Sequence, residues 1–197
     1  MTDGDLIYRP ASIVEALPLA EIFPARQPLE IELGAGDGSF LAKFAQAHPE
    51  TNFIGLERLL GRLRKIDRKG RRANLTNLRL MRLEASYFVQ YLLPGESTQA
   101  IHIYFPDPWP KRRHWKNRLI NEAFAELARR VLANGGVVYL RTDDTPYFEQ
   151  MIRSFSGNPH YQKAESPPEL LAFQTDFERG FQQRGIPTLH AAFKKIS

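Results

Sequence analysis

Residues 29–38 read Leu29-Glu30-Ile31-Glu32-Leu33-Gly34-Ala35-Gly36-Asp37-Gly38, a predicted strand that runs directly into a glycine loop. Glycines at such a turn let the backbone bend tightly and approach a ligand closely. A dinucleotide fingerprint would have its last glycine or alanine at the next position, which is Ser39 here. The spacing therefore argues against a pyrophosphate on the following helix and favours a nucleoside ligand without phosphates. A purely structural glycine turn is the alternative.

Strand and helix patterns alternate after this loop. The predicted strands are residues 29–33, 52–56, 77–81, 100–105 and 137–141, and helical patterns fill 39–48, 58–73, 86–93, 117–132 and 146–155. Gly135 and Gly136 have the character of a stop signal for the helix at 117–132. Residues 189–195 predict a last strand, antiparallel and at an edge. The alternation predicts an α/β fold with a mostly parallel central sheet and helices on both faces.

The composition limits the class of protein. The 197 residues are 43% hydrophobic and 25% charged, as in ordinary globular domains, and a net charge of +5 favours an acidic partner such as nucleic acid. Without cysteine there is no disulfide or thiolate metal site, and the scattered histidines lack metal-ligand spacing, so we expect no metal. No apolar run reaches the length of a membrane span, and the N-terminus has no basic region of a signal peptide. We therefore expect a cytoplasmic enzyme without a membrane partner, either a monomer or a homodimer.

Three glutamates lie at or just beyond the ends of predicted strands. Glu32 ends the first, and a carboxylate buried there needs a partner, for which a cationic ligand would serve. Glu57 ends the second, 57 − 38 = 19 positions after the last loop glycine, where nucleotide-binding α/β folds place an acid on the ribose hydroxyls. Glu84 follows the third and is a further candidate acceptor, near the adenine. A surface glutamate is the alternative for Glu57, but the glycine loop and Glu57 together favour nucleoside binding.

The most unusual stretch is Phe105-Pro106-Asp107-Pro108-Trp109-Pro110-Lys111-Arg112-Arg113-His114-Trp115-Lys116-Asn117-Arg118. Its three prolines fix the backbone around Asp107, because each proline locks its own φ and restricts the residue before it. A stiff acidic turn joined to a basic, aromatic arm is suited to holding one base and gripping a phosphate backbone. A rigid surface turn followed by a solvated charge run is the other interpretation.

Residues 58–72 hold eight cations and one acid, Asp67. An apolar stripe of Leu59, Leu63 and Ile66 is predicted to face the core. The basic stripe beside it is either a solvated face or a track for phosphates, and it contains Arg58, Arg62, Lys65, Lys69 and Arg72.

Acidic positions also occur further along the chain. Asp143 follows the fifth predicted strand, at the end where open α/β sheets place their ligands, and Asp144 meets the same criterion. Near the C-terminus, Thr175 and Glu178 have the spacing of a helix capping box, which is the interpretation that local chemistry favours.

Together these motifs resemble the bacterial tRNA (guanine-N7-)-methyltransferase family, from about residue 29 to residue 195. The most specific part is residues 105–111 with Arg113, His114, Lys116 and Arg118, and Thr175-x-Phe177-Glu178 lies in the expected order. The resemblance implies a Rossmann-like class I S-adenosylmethionine-dependent methyltransferase fold in a single domain. It divides that domain into an N-terminal segment (1–28), a cofactor-binding core (29–158) and a C-terminal substrate-binding part (159–197).

The resemblance also implies an activity, the transfer of a methyl group from S-adenosylmethionine to N7 of the guanosine at position 46 in the variable loop of tRNA. A methyltransferase for another RNA base and a non-catalytic RNA-binding relative are the alternatives. The implied cofactor residues are Glu32, Gly34, Gly36, Glu57, Glu84 and Asp107, with Asp107 also catalytic. The implied substrate residues are Lys111, Asp143, Thr175, Asp176, Phe177 and Glu178. The implied RNA contacts are Arg113, His114, Trp115, Lys116, Asn117 and Arg118.

Two positions depart from the family pattern. Glu84 stands where a shorter aspartate or asparagine is usual, and Asn117 stands where a further basic residue is usual. The chemistry needs no general base, because N7 of neutral guanine carries a free lone pair. We expect Asp107 or Asp143 to accept from the Watson–Crick edge of the guanine, and Trp109 or Trp115 to stack on it.

Overall fold

The computed structural model describes residues 5–196, so residues 1–4 of the expected N-terminal segment and Ser197 lie outside the described residues. The strands are Leu29–Leu33 (β1), Asn52–Leu56 (β2), Leu78–Met81 (β3), Thr98–Tyr104 (β4), Leu132–Thr142 (β5), Tyr161–Ala164 (β6) and Leu189–Lys195 (β7). The helices are Leu19–Ile22 (α1), Leu41–Ala47 (α2), Leu60–Arg72 (α3), Ala85–Tyr87 (α4), Glu122–Val131 (α5), Thr145–Ser156 (α6), Pro168–Ala172 (α7) and Asp176–Gln183 (α8). A π-helical turn, Phe88–Leu92, continues α4, and a 3-10 helix, Arg112–Asn117, follows the proline turn.

The strands form one sheet in the order β3-β2-β1-β4-β5-β7-β6. The first five strands pair in parallel, and β7 is antiparallel to both β5 and β6. The mostly parallel α/β sheet predicted from the sequence is therefore confirmed. The edge position predicted for β7 is wrong, because the short polar strand β6 pairs on its outer side.

Alternation along β1 directs its side chains to the two faces of the sheet. Leu29, Ile31 and Leu33 belong to one buried apolar cluster, while Glu30 and Glu32 point to the opposite face. That opposite face packs against α2 and α3, in a second cluster that includes Phe40 and Phe44. Glu32 is therefore fixed in the interior beside the start of the glycine loop. No helix within residues 5–196 is long and apolar enough to cross a membrane.

Three local predictions are wrong. The helix expected at 117–132 begins only at Glu122, because residues 112–117 form the 3-10 turn and Asn121 caps α5 by accepting from the Phe124 amide. Gly135 and Gly136 do not end this helix but lie inside β5, near a shift in its register with β4. Leu59 is 55% exposed, because it precedes the first turn of α3 and so misses the buried face of that helix.

Candidate active site

A cavity of about 740 Å³ opens at the carboxyl ends of β1, β2 and β4. The chain leaves β1 toward β2 on one side, while β4 lies on the other side, so the cavity sits at the topological switch point where α/β sheets bind ligands. Its size suits a small-molecule ligand. The walls come from the glycine loop, the start of α3, the proline turn and the start of α8.

The glycine loop has a backbone that other residues would not adopt easily. Gly34, Gly36 and Gly38 have φ values of 89°, 57° and 72°, in the left-handed region. A Cβ on Gly38 would lie 2.7 Å from the side chain of Ile66, so α3 packs directly on the loop. The Gly34 and Ala35 amides donate to the Leu56 carbonyl at 3.0 and 2.7 Å, which ties the loop to β2.

Lys69 of α3 braces the same loop. Its Nζ donates to the Asp37 carbonyl and to Asp37 Oδ2, both at 2.8 Å. Burial raises the pKa of Asp37, but hydrogen bonds from Lys69 and Ser39 outweigh it, so the pKa of this carboxyl lies below its usual value. Asp37 is therefore an ionised residue whose contacts hold the glycine loop against α3.

Glu57 joins the glycine loop to the start of α3. Its Oε2 accepts from the Gly36 amide at 3.1 Å, and its Oε1 accepts from the Leu59 amide at 2.8 Å. The residue is buried and lines the cavity. Each carboxylate oxygen keeps a second lone pair, so Glu57 can also accept from a ligand's hydroxyls.

Glu32 places a buried carboxyl oxygen in the cavity wall, without a hydrogen-bond partner in the described part of the chain. The side chain is 2% exposed, and its Oε2 has no hydrogen-bond partner within residues 5–196. Burial raises the pKa of Glu32 to about 8; Arg141 opposes this rise, and the Asp37 and Glu57 carboxylates add to it. In the protein alone the carboxyl is therefore largely protonated at neutral pH, and a cationic ligand would supply its missing partner.

Asp107 projects from a constrained turn. Phe105 and Trp109, on either side of it, have φ values of 50° and 46°, which are unusual for residues with side chains. Asp107 itself is exposed, lines the cavity and receives no hydrogen bond from the described part of the chain. The turn therefore holds a carboxylate that is available to a ligand.

Arg118 was expected to contact RNA, but the structure places its side chain in the interior. It is 2% exposed, donates from Nε to the Pro108 carbonyl at 2.8 Å and from Nη1 to Gln150 at 2.9 Å. Its guanidinium also lies over the rings of Trp115 and Tyr147, at 4.4 and 4.7 Å. Arg118 thus supports the proline turn, and one face of Trp115 is already covered.

The rest of the arm is more accessible. Lys111, Arg113 and Lys116 are exposed, and Arg112 is exposed beside them. His114 is half-buried and packs edge-on against Trp109, with ring centroids 5.9 Å apart. Trp109 and Asn117 line the cavity. Of the two tryptophans expected to stack on a base, Trp109 is therefore the one at the cavity.

The C-terminal motif is a helix cap held by a buried ion pair. Thr175 and Glu178 form the expected capping box of α8, and Oε2 of Glu178 also accepts from Arg141 at 2.8 Å. Glu178 is 4% exposed, so its contacts are internal and differ from the expected substrate contact. Phe177 is 52% exposed and lines the cavity together with Thr175, while Asp176 is exposed and its amide donates to Ser39.

The remaining acids separate into two kinds. Glu84 lines the cavity and caps α4, since its carboxylate accepts from the Ser86 and Tyr87 amides. Asp144 caps α6 by accepting from the Tyr147 amide at 2.7 Å. Asp143 is exposed and is not part of the cavity wall.

Two features of the site were missed by sequence reasoning. Arg141 is a charged residue at the end of an apolar strand pattern, and this position was the signal that it has a buried partner. Arg82 follows the third strand and lines the cavity with Arg58 and Arg62. Its position before Glu84, at the same sheet edge, was the corresponding signal.

Comparison with known proteins gives one family. A family model described as "Putative methyltransferase" matches residues 26–191. Two similar relatives, each named "tRNA (guanine-N(7)-)-methyltransferase", come from Nitrosospira multiformis and Rubrobacter xylanophilus. They are 38% and 33% identical to the chain, in both cases over 91% of it and over 78% and 80% of the relative.

Solved structures with the same fold include a 30S ribosomal methyltransferase from an uncultured bacterium, at a TM-score of 0.61 and 22% identity over 90% of this chain and 92% of that one. The 16S rRNA methyltransferase KamB gives a TM-score of 0.59 and 15% identity, over 87% and 89% of the two chains. The Rossmann-like methyltransferase fold implied by the resemblance is therefore confirmed.

Proposed function

Because the chain belongs to the tRNA (guanine-N7-)-methyltransferase family, we propose that it transfers a methyl group from S-adenosylmethionine to N7 of a guanosine in the variable loop of tRNA. The observation that carries this proposal is a single cavity whose wall contains the glycine loop, the buried acid Glu57 and the carboxylate of Asp107, which accepts no hydrogen bond within residues 5–196. The division into a cofactor-binding core at 29–158 and a substrate-binding part at 159–197 belongs to the same proposal. Both parts share one sheet, since β6 and β7 extend it beyond β5.

The residues of the cavity fit this cofactor. Glu32 has a buried carboxyl oxygen without a partner, as expected for a group that meets a cation only when the ligand is present. Glu57 takes the ribose hydroxyls while it keeps its two backbone donors, and Glu84 lies further along the same wall. When bound, S-adenosylmethionine supplies an electrophilic methyl group, which the N7 lone pair takes up while the C–S electron pair stays on sulfur.

No proton is transferred in this step. The protein therefore contributes by orienting the guanine toward the methyl group and by placing charged side chains beside the reacting atoms. Asp107 accepts hydrogen bonds from the N–H groups on the Watson–Crick edge of the guanine, which turns N7 toward the methyl group. Trp109 and Phe177 supply apolar surface for the extruded base. Lys111, Arg113 and Lys116 hold the phosphates around it. Alignment of this kind lowers a barrier by up to about 7 to 11 kcal/mol in model reactions.

The proposal is tested by methyl transfer from labelled S-adenosylmethionine to unmodified tRNA, followed by digestion and nucleoside analysis. We expect the label in N7-methylguanosine, and we expect it to be lost when the variable-loop guanosine is replaced by adenosine. Label in another nucleoside would favour a methyltransferase for a different base. Cofactor binding without any transfer to tRNA would contradict the activity.

Glu57→Ala is predicted to weaken the binding of S-adenosylhomocysteine and S-adenosylmethionine by about tenfold or more, in the absence of added metal. The variant removes the acceptor for the ribose and also the two bonds to the Gly36 and Leu59 amides. Titration calorimetry measures the change, and Glu149→Ala, at an exposed position of α6, is the control. An unchanged affinity in a folded Glu57→Ala protein would remove Glu57 from the cofactor site.

A further inference from the structure

Helix α3 presents a positive surface to solvent. Its buried side comprises Leu63, Ile66, Asp67 and Gly70, and its exposed side carries only cations and Gly61. Lys69 pairs with Asp37, and Arg71 lies 3.8 Å from Asp67. The other exposed cations make no ion pair with a carboxylate of residues 5–196. Together with Arg58, which is exposed just before the helix, they form what we name the α3 basic strip: Arg58, Arg62, Arg64, Lys65, Arg68 and Arg72.

Nothing on α3 offsets the repulsion within this strip. Arg64 and Arg68, and Arg68 and Arg72, are four residues apart, a spacing at which like charges destabilise a helix. The first turn of α3 contains no acid, so Arg62 also opposes the helix dipole. The single acid, Asp67, is turned inward and accepts from the Leu6 amide at 3.0 Å. The strip therefore lacks the interleaved acids of a merely solvated helix face, and a polyanion would relieve it.

The strip begins at the cavity. Arg58 and Arg62 line its wall, while Trp109 and Asn117 of the basic arm line another part. From there α3 runs for 13 residues, or about 20 Å, which is long enough to follow a phosphate backbone over several nucleotides. The cavity wall therefore adjoins the cations of α3 in one part and the basic arm in another.

We propose that the α3 basic strip is a second tRNA-binding surface, which holds the phosphate backbone on the side of the cavity away from the arm. The inference rests on the proposed function, because it takes tRNA as the polyanion. The contacts are with phosphates, so the strip contributes affinity and orientation and does not read sequence.

Arg64→Gln/Arg68→Gln/Arg72→Gln tests the strip without touching the cavity wall. The matched control is Arg153→Gln/Lys163→Gln/Lys194→Gln, which changes three exposed cations on α6, β6 and β7 at the other end of the sheet. Both variants lower the net charge equally, from +5 to +2. The binding of unmodified tRNA is measured as a function of salt, together with the affinity for S-adenosylhomocysteine.

We expect the strip variant to lose about two to three from the slope of log affinity against log salt, at roughly 0.7 to 0.9 per lost contact. Its tRNA affinity should fall at least about tenfold near physiological salt. The control should keep the wild-type slope, cofactor affinity should be the same in all three proteins, and the melting temperature of the strip variant should hold or rise because repulsion is relieved.

Other results overturn the inference. A wild-type slope in the strip variant means a solvated face, and equal losses in strip variant and control mean a general charge effect. In either case normal methylation of tRNA by the wild type leaves the proposed function standing. A wild-type protein that neither binds nor methylates tRNA would remove the proposed function and the strip together.

Discussion

Glu32→Gln is expected to stabilise the protein without cofactor at pH 8 and, at the same pH, to weaken cofactor binding. The carboxyl is buried with an unpartnered oxygen, and burial raises its pKa from 4.5 to about 8. Between these two pH values the folded protein retains a proton that the unfolded chain has lost. Stability from this group is therefore present below about pH 4.5 and is lost as pH rises toward 8, by at most about 1.4 kcal/mol per pH unit.

Glutamine reproduces the protonated form and does not incur this cost. The melting temperature of Glu32→Gln should exceed that of the wild type by several degrees at pH 8, and the difference should shrink toward pH 5. Scanning calorimetry at the two pH values measures it. Equal melting temperatures at pH 8 would mean that Glu32 has a partner in solution that the described residues do not provide.

Cofactor binding should respond in the opposite direction. If Glu32 meets a cationic group of the ligand, binding favours the carboxylate, so the wild-type protein releases a proton and binds more tightly as pH rises toward 8. Glu32→Gln should bind about a hundredfold more weakly at pH 8, because truncating one partner of a buried charge pair costs about 2 to 5 kcal/mol. Titration calorimetry in two buffers of different ionisation enthalpy detects the proton, and its absence would contradict this pairing.

Asp107→Asn is expected to lower the rate of methyl transfer at least about a hundredfold while the protein stays folded. The side chain is exposed and has no hydrogen bond within residues 5–196, so the substitution removes no internal hydrogen bond. Asparagine replaces one acceptor oxygen with a donor, which faces the N–H groups of the guanine and removes the negative charge beside the reaction.

The matched control for this variant is Asp143→Asn. Asp143 is also exposed but is not part of the cavity wall, so we expect the smaller effect there. Single-turnover rates with labelled cofactor measure both variants. A nearly active Asp107→Asn would withdraw the assignment of Asp107, and a larger loss in Asp143→Asn would transfer the guanine edge to that residue.

Much of the site follows from local signals in the sequence. Glu32 is the last residue but one of β1, and Glu57 directly follows the neighbouring parallel strand β2. The carboxyl ends of such strands meet at one edge of the sheet, so the approach of the two glutamates was predictable. The fixed turn around Asp107 was also predictable, because each proline restricts its own backbone and that of the residue before it.

The residues whose position differs from the prediction make contacts with residues that are distant in sequence. Arg118 looked like one more cation of the arm, but its partner Gln150 lies 32 positions further along the chain. Glu178 is taken by Arg141, 37 positions before it. Strand β6 has only four residues and a polar pattern, so its local sequence did not predict a strand that pairs with the outer side of β7.

The central claim is that the site aligns its reactants and supplies charge, without a catalytic base. The direct measurement is the single-turnover rate of methyl transfer, with enzyme in excess over tRNA and with saturating S-adenosylmethionine, from about pH 6.5 to 8.5. Saturation removes the pH dependence of cofactor binding that Glu32 introduces. We predict a nearly flat profile, whereas a profile governed by one ionisation near neutrality, in a step shown to be the chemistry, would contradict the account.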